Sequence, residues 1–147
     1  VDRTGQINQF DSRSMGFSYR HTAVADDVIF TEALFQGQEG DPAKILEEMN
    51  AITQARSSTQ PVNTRTGGST FRNLEGAKAW ELIDRAGLRG FRIGGAEVSP
   101  LHTNFLVAHE GATAADIEAL GEEIRRRVFE QSGVRLSWEI KIVGEAQ

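Results

Sequence analysis

The chain has 147 residues, with 16 Lys and Arg against 21 Asp and Glu, for a formal net charge of −5. At 39% hydrophobic and 25% charged residues it has the composition of one globular domain, or a small domain plus part of another, and is too apolar to be disordered. The absence of cysteine excludes disulfide frameworks, thiolate zinc sites, iron–sulfur clusters and cysteine nucleophiles; no run approaches the roughly 20 apolar residues of a membrane-spanning helix, and the acidic balance argues against a dedicated nucleic-acid binder.

The chain opens at Val1, without methionine or a signal-peptide pattern, since Val1–Gln9 is polar, and its first 26 residues are rich in Ser, Asp and Arg with no clear period. These features predict a piece of a longer protein. Val28–Phe35 is rich in β-branched and aromatic residues and predicts a strand, which Gly37, Gly40 and Pro42 end. Asp41 is a helix cap, Pro42 suits a first turn, and Ile45, Leu46, Met49 and Ile52 recur at helical spacing, so a core helix is expected over 41–56. Residues 57–68 have no apolar period and predict a long loop.

A second helix is expected over Ala77–Ala86, with Trp80 and Ile83 on its inner face and Gly87 after its end. Two short strands follow near Gly90–Val98 and Asn104–His109. Thr113 and Asp116 form a capping box for a third helix whose buried stripe is Ile117, Leu120, Ile124 and Val128, and Gly133 stops it. Leu136, Trp138, Ile140 and Ile142 alternate with Ser137, Glu139 and Lys141, the pattern of a half-buried final strand. Helices and strands alternate only loosely, so the predicted class is α+β.

The densest polar cluster is Thr64–Asn73, in which Gly67-Gly68 precedes Ser69. Paired glycines allow close backbone approach to a ligand, but the spacing matches neither a phosphate-binding P-loop nor a nucleophile elbow. Read locally, a flexible turn leading into a strand has the better claim. Glu139 and Arg20 read in the same way as solvated surface charges. His21, His102 and His109 lack metal-ligand spacing, so no metal site is expected. Arg125–Arg127 lies among Glu122, Glu123 and Glu130, which predicts a solvated helix face laced with ion pairs.

Four segments occur in order: GFSYRHT (Gly16–Thr22), GGSTFRN (Gly67–Asn73), GGAEVSPLHTNFLV (Gly94–Val107) and SWEIKIVGE (Ser137–Glu145). Together they resemble the C-terminal half of the UDP-N-acetylenolpyruvoylglucosamine reductase family. The resemblance implies the C-terminal remnant of an FAD-binding domain over 1–36 and a substrate-binding domain over 37–147. It also implies an oxidoreductase of peptidoglycan synthesis, hence of cell-wall biogenesis, cell shape and cell division, acting in the cytoplasm. In such enzymes NADPH reduces FAD, which passes hydride to the enolpyruvyl ether of a nucleotide sugar.

By the same resemblance Ser69 is the acid that protonates the neighbouring carbon. A hydroxyl suffices there because a carbanion-like carbon is strongly basic. Arg20 meets the substrate carboxylate, where a guanidinium gains strength as negative charge grows. Glu139 is the third catalytic residue, working protonated or through a shared proton, since a bare carboxylate would repel the forming dianion. Tyr19, Arg72 and Asn73 match substrate-binding positions. Where many members read Lys then Asn-Pro, this chain has Arg72, Asn73 and Leu74, which keeps the charge and loses a proline. Arg20 and Ser69 are 69 − 20 = 49 positions apart, as in the shorter subtype that lacks a tyrosine-bearing loop. No Gly-rich pyrophosphate-binding segment is present, so the chain is expected to bind FAD weakly or not at all, and to be inactive, without an N-terminal FAD-binding part. The partners implied are the small nucleotide-sugar substrate and that missing part, with no nucleic acid and no membrane. The alternative is a non-catalytic nucleotide-sugar-binding module of the same fold.

Overall fold

The computed structural model describes residues 1–144, so the terminal Glu145 of the fourth segment lies outside the described residues. Val1–Gly40 forms one compact unit and the chain from Asp41 onward a second.

The first unit is built from turns. Ser18 and His21 exchange two backbone hydrogen bonds of 2.9 and 3.2 Å around Tyr19-Arg20, and the Val1 and Ile29 backbones bond reciprocally at 2.7 and 2.9 Å. The predicted strand at Val28–Phe35 does not form: the segment is irregular, with Leu34 94% and Phe35 88% exposed. Its composition suits a pleated, half-buried surface, but a strand also needs a continuous neighbouring edge, and Val1 meets it only at Ile29.

The second unit begins with α1 (Pro42–Thr59), capped by the Asp41 side chain, which accepts from Ala43 N at 2.9 Å. It runs three residues beyond the expected end and shortens the loop that follows. The helix is correct but its place in the core is not: none of its residues is buried, and Ile45, Leu46, Met49 and Ile52 are all exposed. The remaining elements are β1 (Thr66–Ser69), α2 (Ala79–Arg85), β2 (Arg92–Ile93), β3 (Ala96–Val98), β4 (Phe105–Ala108) and α3 (Ala114–Ser132). The strands form an antiparallel sheet in the order β1-β4-β3-β2. The expected strand at 90–98 is thus a hairpin turning at Gly94-Gly95.

α3 packs on the sheet and on α2. Its capping box is complete, and Asp116 also accepts from Gly95 N at 3.2 Å, which ties the helix start to the hairpin turn. These bonds hold the Asp116 carboxyl below the usual carboxylate range, those from the Thr113 and Gly95 N–H groups first. Leu120, Ile124 and Val128 meet Ile83, Leu88, Ala96, Val98, Leu106 and Leu136 in the core. The opposite face carries the expected ion pairs: Glu123 contacts Arg126 at 2.8 Å and Arg127 at 2.6 Å, and these guanidinium groups pull its carboxyl down to about 2.

The final segment departs from the sequence reading. Leu136–Ile142 is not a strand; it makes a single bridge, Phe71 to Trp138. Leu136 is buried and Trp138 and Ile140 are half-buried, but Ile142 is 56% exposed. The alternation therefore marks an inward face for only the first part of the segment.

Candidate functional site

Ser69 is the last residue of β1. Thr66 pairs with Val107 and Ser69 with Phe105, so β1 fits one residue more than β4 between these two pairs. Gly68, at φ +88°, absorbs it. Such a bulge bends a strand and redirects the side chains beyond it, and the left-handed backbone angle explains the glycine. Ser69 follows the bulge directly and is half-buried.

The next three residues are held from both sides. On one side Thr70 N donates to Asn104 O at 2.8 Å, while the Asn104 side chain accepts from Phe71 N at 3.0 Å and donates to Phe71 O at 2.9 Å. On the other, Glu139 N donates to Thr70 O at 2.8 Å and Arg72 N to Ser137 O at 2.9 Å. Two sequence-predicted residues, Ser69 and Glu139, are thereby brought to neighbouring positions on adjacent chain segments, although 70 residues separate them in sequence. Glu139 is half-buried and Arg72 is exposed.

Asn73 has a structural task. Its Oδ1 accepts from Ala79 N at 3.0 Å, which satisfies one free amide at the start of α2, where Lys78 gives no side-chain cap. Arg20 and Tyr19 belong to the first unit. Arg20 has φ +56°, alone among the described non-glycine residues in having a positive φ, and its guanidinium lies 5.5 Å from the Tyr19 ring centroid. A left-handed arginine stores strain of about 1 kcal/mol, a device that recurs at functional positions. Both side chains are exposed.

A cleft of about 160 Å³ lies beside Gly67, walled by Arg65, Thr70, Leu106, Ile117 and Ile140. Ligand pockets for drug-sized molecules run from roughly 300 to 1,000 Å³, so this cleft does not fit a flavin dinucleotide. No three His, Asp or Glu side chains gather as a metal site among the described residues, and no described helix is long and apolar enough to cross a membrane.

Sequence reading assigned no role to Asn104 or Gly121. The signal for Asn104 was available, because it falls inside the third family-like segment, but a buried amide clamp has no periodicity. The alternation at 136–142 places Trp138 on a core face but carries no sign of its contacts with α3.

The fold is a small α+β domain whose antiparallel sheet carries the Gly-Gly-Ser segment at one edge, and comparison with known proteins gives it a family. Residues 60–143 match the family model described as UDP-N-acetylenolpyruvoylglucosamine reductase, C-terminal domain. The chain belongs to the UDP-N-acetylenolpyruvoylglucosamine reductase family. It is 58% identical over 144 residues to an enzyme of that name from Methylorubrum extorquens, covering 98% of this chain and 47% of the relative. Against the Rickettsia prowazekii enzyme it is 52% identical over 145 residues, 99% of this chain and 49% of the relative. The crystal structure of the Thermus caldophilus reductase (MurB) superposes with a TM-score of 0.70 at 33% identity, covering 86% of this chain and 46% of that one. The chain thus spans about half the length of the curated relatives it matches.

Proposed function

We propose that the chain is the substrate-binding half of a reductase that converts the enolpyruvyl ether of a UDP-amino sugar to the lactyl ether in peptidoglycan synthesis. The observation that carries this reading is the junction at Thr70, where the residue after Ser69 is hydrogen-bonded to Glu139. In the proposed reaction Ser69 gives its hydroxyl proton to the carbon beside the substrate carboxylate. The bulge at Gly68 and the pairing of Ser69 with Phe105 set the backbone from which this side chain projects, which supports a donor positioned before substrate arrives. Glu139 assists on the neighbouring segment, and Arg72 supplies an exposed positive charge for the diphosphate. Asn73 assists substrate binding through its amide nitrogen, since its oxygen already caps α2. Arg20 as carboxylate anchor and Tyr19 beside it rest on the family resemblance.

FAD and NADPH belong to the proposal as electron carriers of the whole reductase and would supply the hydride. Their binding is assigned to the part of the relatives' length that this chain does not span, and the proposed domain division is 1–36 against 37–147. A fragment of this extent is expected to be inactive alone, and a cytoplasmic setting follows from the same reading.

The test uses the full-length protein loaded with FAD: NADPH oxidation is followed on adding the enolpyruvyl nucleotide sugar, for the wild type and Ser69→Ala. Substrate-dependent oxidation that Ser69→Ala abolishes, with flavin reduction by NADPH intact, is the expected result. Full turnover by Ser69→Ala overturns the assignment of the proton donor. Nucleotide-sugar binding without any turnover by the wild type would instead favour a non-catalytic binding module.

A further inference from the structure

We propose that Trp138 is the positioning residue for Glu139, and that the socket it occupies is the notch left on α3 by Gly121. The inference rests on the reading of Glu139 as a catalytic group. The segment carrying Glu139 is not a strand: a single bridge, made of the two backbone hydrogen bonds Arg72 N to Ser137 O and Glu139 N to Thr70 O, pairs its backbone with the site. So short a ladder fixes register poorly, and a slip of one residue would turn the Glu139 side chain to the opposite face.

What fixes the segment is the neighbouring indole. A Cβ at position 121 would stand 1.9 Å from Trp138 Cη2 and 2.7 Å from both Cζ2 and Cζ3, so the ring is seated where any other residue would put its side chain. Its Nε1 donates to Glu122 Oε1 at 3.0 Å, and its ring lies 5.0 Å from that of Phe71, centroid to centroid. Glu122 is itself held by Arg125, whose Nε donates to Leu136 O at 3.0 Å, so α3 grips the segment at two points before Glu139. Helix, indole and Phe71 together leave the following residue little freedom. Rigid support of this kind, from groups that never touch substrate, keeps a reacting group in productive geometry.

The test compares Gly121→Ala, Trp138→Phe, the double variant and Glu139→Gln in the full-length FAD-loaded protein. Single-turnover oxidation of the reduced enzyme by the enolpyruvyl substrate is measured beside its reduction by NADPH. Gly121→Ala is expected to slow the substrate step by about tenfold to a hundredfold with little change in KM or in reduction by NADPH, as misplacement of a catalytic group does. The double variant should recover much of that loss, because phenylalanine lacks the outer ring atoms that collide with the new methyl group. Hydrogen exchange at the Glu139 amide should quicken in Gly121→Ala and slow again in the double variant. A Gly121→Ala substrate step at the wild-type rate, beside a slow Glu139→Gln, overturns the positioning role and leaves Glu139 catalytic. A wild-type rate for Glu139→Gln overturns both. Trp138→Phe, the milder change, decides the matter if Gly121→Ala does not fold: a wild-type substrate step with unchanged Glu139 exchange would refute the socket.

Discussion

Asn104 holds the peptide flanks of Phe71 as a neighbouring strand would, accepting from Phe71 N at 3.0 Å and donating to Phe71 O at 2.9 Å through one side-chain amide. Both residues are almost fully buried, Asn104 at 4% and Phe71 at 1% exposure. The amide extends the β1–β4 pairing where the backbone ladder ends, and so fixes the chain two residues after Ser69. Asn104→Leu keeps the volume and leaves a buried N–H and C=O unpaired, which is expected to lower stability by about 2 to 4 kcal/mol in urea unfolding. Asn104→Asp keeps the acceptor, loses the donor and adds a buried charge, so it should be no better tolerated at neutral pH.

Burial holds the neighbouring His102 imidazole below its ordinary value of 6.5; a backbone hydrogen bond opposes this and the positive Arg89 reinforces it. Its Nδ1 accepts from Asn104 N at 3.3 Å, a role only the neutral ring can fill. A histidine with a depressed folded value binds fewer protons folded than unfolded. Its contribution is therefore complete above about pH 6.5 and is lost as pH falls through the folded value. Thermal unfolding across pH 7.5 to 5 should show a declining midpoint that His102→Gln flattens.

Arg20 joins a strained backbone to an exposed side chain. Arg20→Gly relieves the left-handed strain, so the Ser18–His21 turn should be retained or firmed by up to about 1 kcal/mol, read from amide exchange at these two residues. The same variant should abolish turnover in the full-length protein. A gain in local order with loss of activity would separate the arginine's chemistry from its conformation.

The apolar residues of α1 contribute nothing to the core of this chain. Ile45→Gln and Met49→Gln, at positions 45% and 58% exposed, are expected to change its unfolding free energy by no more than about 0.5 kcal/mol. Ile124→Ala on α3, fully buried, should lower it by about 2 to 5 kcal/mol in the same measurement.

The sequence alone determined what local chemistry can write. Asp41 and Thr113 cap helices as their side chains require, Asp116 completes its box, and Gly133, at φ +72°, ends α3. The stripe Leu120, Ile124 and Val128 faced inward as its period demanded. The family-like segments further marked Ser69 and Glu139. Tertiary structure alone decided which patterned segments found partners. The apolar spacing of α1 and the β-rich composition of Val28–Phe35 are equally strong signals, yet the α1 face and residues 29–35 are exposed, because periodicity states that a face is apolar and never what covers it. At 136–142 the alternation was real, but neighbouring chain reaches only far enough for one bridge. The seating of Trp138 on Gly121 and of Phe71 on Asn104 depends on contacts 17 and 33 residues apart, and such close approach is a property of packed volumes that no local pattern encodes.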